Sequence, residues 1–501
     1  MELPTSDKVR TYEDALIQPK GRVLSTLEAD GSRRWLMPRL ARGKLFNARR
    51  IVAYLLLALF IVTPYISVGN YPIVLLDVLH RRFHILGATF LPTDTVLLAL
   101  LVLMAGLSIF LFTAIAGRVF CGWACPQTVY LEFVYRPIER LFYGTTGRGG
   151  KPKNVPVWRR IALHAVYLVV SIHLAHTALS YFVGAKAVNE FIWHSSPFSH
   201  PAAFIMVAII TAWMMWDFCF WREQMCLIGC PYGRLQSVLL DPWSLIVSYD
   251  AKRGEPRGKK VRMKEEGGRM KEQVSLSSLI LQPSSLSQGD CIDCTMCVQV
   301  CPTGIDIRDG LQFECVNCTQ CIDACDTVMD RIEKPRGLIG YSSQAARAGE
   351  RVRWIRPRVV IYPLMLLVLG SLFTYLLFNR SPFDLTVLRA QGRPFVVTPG
   401  GSVENTMRFK IVNRTEGRRT YRVESMDPQI QFINTDTTQG VTLDPLETAV
   451  EPFQVRVPGE RFVRDHLDIE VRVTSDDGQS VTRFVRLVGP ANFAGAASIS
   501  R

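Results

Sequence analysis

Five blocks of apolar residues constrain this chain more than any other feature. Residues 51–69, 94–116, 158–183, 201–220 and 357–378 each supply about 20 mostly apolar positions, enough to cross a hydrocarbon core at a rise of 1.5 Å per residue. Inside lipid every backbone N–H and C=O must be satisfied within the segment, so blocks of this length are expected to be transmembrane helices. The first fifty residues are polar and the first block is long and late, so no cleavable signal peptide is expected. Basic residues set the expected orientation. The first fifty positions carry eleven Lys and Arg, residues 117–157 carry Arg118, Arg136, Arg140, Arg148, Lys151 and Lys153, and 221–356 is basic throughout; residues 70–93 and 184–200 hold only Arg81, Arg82 and Lys186. The N-terminus is then cytoplasmic and the C-terminus outside. The same bias accounts for the net charge of +14, so nucleic acid is not an expected partner.

Eight of the thirteen cysteines form two runs, Cys291-x2-Cys294-x2-Cys297-x3-Cys301-Pro302 and Cys315-x2-Cys318-x2-Cys321-x3-Cys325. This is the ligand spacing of a two-cluster bacterial ferredoxin, in which the fourth thiolate of each run serves the other cluster. One 4Fe-4S cluster is expected on Cys291, Cys294, Cys297 and Cys325, the other on Cys315, Cys318, Cys321 and Cys301. A disulfide framework or zinc ribbon does not account for two x2, x2, x3 series. Asp326 stands where the first run has Pro302, which removes no ligand.

A second cysteine device appears twice, as Cys121-Gly-Trp-Ala-Cys125-Pro126 and Cys226-Leu-Ile-Gly-Cys230-Pro231, which reads as a parallel duplication of a two-span unit. Proline disfavours a helical residue before it and suits the first helical turn, so Cys125 and Cys230 are expected to cap new helices, with thiol pKa values lowered there. Arg118, Arg222 and Arg234 add positive charge. If the halves pack about a shared axis, Cys121, Cys125, Cys226 and Cys230 converge on one soft-metal site suited to Cu(I), zinc or an iron–sulfur cluster. The bland alternative is small apolar residues at helix ends, and Cys219 is read as core packing. His173 and His176 share a helix face with His164 nearer the cytoplasmic end, but no facing span offers a partner histidine for haem. His80 and His84 could form a weak copper site or a solvated pair. Met206, Met214, Met215 and Met225 could carry a soft ion or simply pack.

From residue 381 the apolar period becomes two: Met407, Phe409 and Ile411 alternate with Arg408 and Lys410, and Leu467, Ile469, Val471 and Val473 with Asp468, Glu470 and Arg472. An immunoglobulin-like sandwich without the bridging cysteines is expected, serving docking instead of catalysis. The whole is a multi-domain chain: an α-helical membrane bundle, an inserted α+β two-cluster ferredoxin domain and a C-terminal all-β immunoglobulin-like sandwich. Its expected parts are a cytoplasmic segment (1–50), a four-helix membrane unit (51–248), a flexible linker (249–288), the ferredoxin domain (289–335), a basic linker (336–356), a fifth transmembrane helix (357–379) and a periplasmic sandwich (380–501).

Cys121-Gly-Trp-Ala-Cys125-Pro-Gln-Thr, Cys230-Pro-Tyr-Gly-Arg-Leu-Gln, the stretch from Gly289 through Cys301-Pro-Thr-Gly-Ile-Asp-Ile-Arg308, and Cys321-Ile-Asp-Ala-Cys325-Asp-Thr-Val-Met329 together resemble the cytochrome c oxidase accessory protein family, CcoG or FixG. The resemblance covers roughly 50–500, and residues 258–287 look like an insertion. It implies a cupric reductase of the bacterial inner membrane with two 4Fe-4S clusters, reducing Cu(II) to Cu(I) for cbb(3)-type oxidase assembly, with copper as substrate or bound ion at Cys121, Cys125, Cys226 and Cys230. Expected partners are the membrane, copper, an unidentified cytoplasmic electron donor, and copper chaperones or oxidase assembly factors; a homodimer stays open. The competing readings are a quinol-linked conduit to a periplasmic reductase and a non-enzymatic copper chaperone or scaffold.

Overall fold

The computed structural model describes residues 22–490 apart from 29, 70, 145–154, 195, 197, 259–288, 352, 354, 391, 434–439 and 463. Among the described residues five helices are long and apolar enough to span a membrane: Lys44–Tyr65, Pro92–Ala116, Val157–Val183, Pro201–Trp221 and Pro357–Phe378. Their surfaces are those of lipid-facing helices. The fifth buries none of its residues, and Leu55, Val102, Val169, Ile209 and Leu367 all stand exposed, an all-round apolar surface that only lipid accommodates.

The chain divides into two compact units, the larger comprising residues 1–80, 84–87 and 101–370. Here the inserted domain starts earlier and ends later than expected. Strand Ile246–Tyr249 pairs antiparallel with Ile339–Ser342, and helix Ala251–Gly254 is capped by the Asp250 carboxylate, which accepts from the Arg253 N–H. Residues 249–258 are therefore ordered, and the stretch expected as a basic linker holds this closing strand and helix Gln344–Ala348. Apolar pairing between these two strands outweighs the charged composition that marked both segments as linkers. The remainder of the expected flexible linker, 259–288, lies outside the described residues. Val247, Ile305, Ile307, Ile322, Met329, Leu338 and Ile339 form the domain's core around its cysteines.

The smaller unit comprises residues 81–83, 88–100 and 371–501. Its sandwich has two antiparallel sheets. One orders the strands Phe383–Arg389, Ser402–Asn413, Thr448–Pro458 and Gln431–Phe432, and the other Val441–Leu443, Arg419–Ser425, His466–Ser475 and Ser480–Val488. Alternation does the folding work: Met407, Phe409, Ile411, Ile469, Val471 and Val473 are buried between the sheets while Arg408, Asp468 and Glu470 face out.

Candidate functional site

The two cysteine runs adopt the same backbone twice. Asp293 and Thr295 lie at φ 52° and 57°, and Asn317 and Thr319, at the matching positions of the second run, at 53° and 63°. Left-handed residues on either side of the second cysteine curl each run, and Asp and Asn tolerate that region better than most side chains. Helices Met296–Gln299 and Gln320–Arg331 follow directly. The neighbours of each thiol follow the crossover. Cys325 is raised electrostatically by Cys294 and Cys291, and Cys297 by Cys325 and Cys294, whereas Cys315 and Cys318 are raised by Cys301. One cavity is lined by Cys301, Cys315, Cys318 and Cys321, with Cys297 also at its wall.

The chemistry of these pockets fits an iron–sulfur core. Burial pushes Cys315 up to about 11 and Cys297, Cys318 and Cys325 up to about 12. Such thiols ionise only against bound cationic metal, which is how thiolate ligation releases protons. The sets Cys291, Cys294, Cys297, Cys325 and Cys301, Cys315, Cys318, Cys321 would be the donors to hold 4Fe-4S clusters. Asp326 accepts the Gly337 N–H at 3.0 Å, tying the second run's end to the segment leading into the closing strand.

Beside the second set lies the other cysteine device. Cys125 and Cys230 have extended backbones and cap helices Pro126–Tyr130 and Pro231–Leu239. Cys121 and Cys226 pack with Tyr232 against Val316 and Cys318, inside the second cluster-binding run. The thiols are near neighbours: Cys226 is pushed up by burial and then by Cys125, Cys121 and Cys230. Cys121 donates to Gln236 Oε1 at 2.9 Å, and Gln236 in turn donates to Thr113 Oγ1 at 3.2 Å and to the Tyr232 hydroxyl. The lowered thiol pKa expected at Cys125 is not found. Burial outweighs the N–H groups of Gln127 and Thr128 and leaves Cys125 above the ordinary thiol value. Among the described residues no three His, Cys, Asp or Glu side chains close on a single ion, so the four thiols are neighbours whose approach metal would have to complete.

Two buried arginines join the devices. Arg49 is fully buried and donates from Nε to Gly122 O at 2.5 Å and from Nη1 to Cys318 O at 3.3 Å. Arg118 donates to Phe313 O, and its charge opposes the burial of both Cys121 and Cys315. Gly122 makes the approach possible, since a Cβ there would lie 2.5 Å from Val316 O and 2.8 Å from Asn317 O. The sequence reading named Arg118 but missed Arg49, which lies far away in the chain. It also missed the buried ionic group of Glu132, Arg136, Glu139, Arg222 and Glu223, whose signal was charge at i, i+4 just after Cys125-Pro126. Arg222 belongs to that group, bound to Glu139 by two 2.8 Å hydrogen bonds.

The other candidates disperse. His84 is buried and stacked on Tyr71 at 3.9 Å, while His80 pairs with Asp77 at 2.7 Å, so they build no shared site. His173 is exposed, and His176 lines an apolar cavity with His200. Met214, Met215 and Cys219 pack against Tyr135, Tyr167 and Phe218, and Met206 stands exposed.

Family models match three stretches: a 4Fe-4S dicluster domain over residues 221–344, a 4Fe-4S binding domain over 97–143, and the IG-like fold at the C-terminus of FixG over 373–490. Protein RdxA of Cereibacter sphaeroides is 33% identical over 408 residues, covering 77% of this chain and 81% of its own length. Protein RdxB of the same organism is 33% identical over 412 residues, with the same coverage. The nitrogen fixation protein FixG of Rhizobium meliloti is 31% identical over 480 residues, covering 86% of this chain and 88% of its own.

Proposed function

The chain belongs to the FixG and RdxA family and is a membrane-associated iron–sulfur electron-transfer protein; from that premise we propose that it reduces Cu(II) to Cu(I) for assembly of a cbb(3)-type cytochrome c oxidase. The observation that carries this reading is the packing of Cys121 and Cys226 against Val316 and Cys318. It sets two of the four soft donors against the second cluster-binding run. When bound, 4Fe-4S clusters supply one-electron transfer. Each Cu(II) takes one electron and leaves as Cu(I), and thiolate donors at Cys121, Cys125, Cys226 and Cys230 favour the softer product. Arg49 and Arg118 hold the two loops in register, and their positive charge favours arrival of electrons at the sulfur-rich region.

The bias of Lys and Arg toward 1–50, 117–157 and 221–356 supports a cytoplasmic ferredoxin domain and a periplasmic sandwich. Copper chaperones or oxidase assembly factors would then dock outside. X-ray absorption at copper tests the ligand assignment. A sulfur-dominated shell is expected, lost when Cys121, Cys125, Cys226 and Cys230 are all replaced by Ser while both iron–sulfur signals persist. An unchanged copper shell and unchanged copper reduction in that variant would reject the site. A protein that binds Cu(I) on these thiols without ever reducing Cu(II) would be a chaperone instead.

A further inference from the structure

A third cavity, of ≈ 320 Å³, opens where the third span begins on the ferredoxin side, between Val155 and the helical Phe218 and Cys219. Its walls are aromatic, with Trp35, Tyr143, Tyr167 and Phe218, and its polar groups are His164, Arg160, Arg222 and Glu139. The size lies at the lower end for small-molecule sites. It suits a single ring system better than a phosphate-bearing nicotinamide or flavin carrier. The helix turns beside it place Trp158 and Ile161 outward, 63% and 65% exposed, as at a membrane border where a lipid-soluble molecule enters sideways.

Two observations select the occupant. First, His164 Nδ1 faces Arg160 O at 2.7 Å. A carbonyl only accepts, so Nδ1 carries a proton, and in the neutral imidazole Nε2 presents a lone pair able to accept from a hydroxyl. Second, the cavity wall is joined to a cluster-binding run. Arg222 Nε lies 3.7 Å from Glu223 Oε2, Arg136 Nη2 donates to that same oxygen at 3.3 Å, and Arg136 Nη2 also donates to Pro302 O at 3.3 Å. Pro302 follows Cys301, a thiol of the second set.

We propose that this cavity binds the head group of a membrane quinol, which serves as the electron donor for the copper reduction proposed above, and on that reading the assignment of donor rests. Oxidation of one quinol to quinone breaks two O–H bonds and releases two protons and two electrons. His164 Nε2 accepts the protons in turn and passes them to water at the exposed edge. The electrons leave singly to two one-electron iron–sulfur acceptors on the thiol sets.

The test uses the full chain in lipid nanodiscs, purified without oxygen, and a short-chain benzoquinone and its quinol as probes, with binding read by titration calorimetry. Val155→Trp fills the mouth without touching the core and is expected to weaken both probes by more than about ten-fold. His164→Ala removes an acceptor that only the quinol can use, so the quinol should weaken about ten-fold while the quinone changes little. Iron content and the paramagnetic spectrum of each variant report that the fold is kept. Equal binding by wild type and Val155→Trp overturns the site, and an equal shift of both probes in His164→Ala overturns the role of His164. Chemically pre-reduced wild-type protein needs no quinol, so its failure to reduce Cu(II) would count against the copper reading alone.

Discussion

Gly122 has no room for a methyl group, because backbone oxygens of Val316 and Asn317 occupy the space on its side. Gly122→Ala must therefore push the Cys121–Cys125 loop off the second cluster-binding run. Copper reduction, followed as a coloured Cu(I) chelate, should fall by about ten-fold or more, while the iron–sulfur absorbance stays. Asp306 carries a pH effect. Burial alone would raise its pKa, but the Arg308 hydrogen bonds and charge outweigh burial and hold it below the ordinary carboxylate value. Its stabilisation is complete above the unfolded-state pKa of about 3.9 and is lost as pH falls through the lower folded value. Asp306→Asn should thus lower the thermal midpoint at neutral pH and flatten its decline below about pH 4. Spacing alone made the 4Fe-4S dicluster domain legible in the sequence. Arg49 was not legible, since a buried cation meeting Gly122 and Cys318 through space leaves no local pattern.

Elements read from strong periodicity emerged as expected: the five apolar helices and the sandwich strands with their inward faces. The proline-capped helices also followed from local rules, since Cys-Pro fixes the turn whatever surrounds it. What local rules could not foresee was the balance at Cys125, where tertiary burial defeats the helix terminus. The strand pair closing the ferredoxin domain was hidden likewise, because its strands lie about 90 residues apart and each is only four residues long. Within the sandwich, Phe453 is fully buried and meets Phe409 edge to face at 4.2 Å. Phe453→Ala should cost about 3–5 kcal/mol, read as earlier loss of β-sheet signal on heating. At its base, Asp94 is buried, accepts from Arg380, and pairs with Arg414 at 3.1 Å. Asp94→Ala takes the buried carboxylate from Arg380 and leaves Arg414 its 3.9 Å contact with Asp384, at a cost of about 3–5 kcal/mol, and amide exchange along Phe383–Arg389 should accelerate.

For the molecule as a whole, two thiolate sets predict about eight irons per chain after preparation without oxygen. Cysteine labelling in intact cells checks the sidedness. A cysteine placed at exposed Phe484 should react with a membrane-impermeant reagent, and one at exposed Glu333 should not; the reverse would invert the orientation. The central claim, that electrons held near Cys318 reach copper through Cys121, Cys125, Cys226 and Cys230, is tested most directly by one turnover. Protein reduced chemically and freed of reductant is mixed rapidly with Cu(II) and frozen at intervals. The paramagnetic signal of the reduced clusters should decay in step with that of Cu(II), one electron per copper, and both should persist when the four cysteines are serines. Decay at the same rate in that variant would contradict the account.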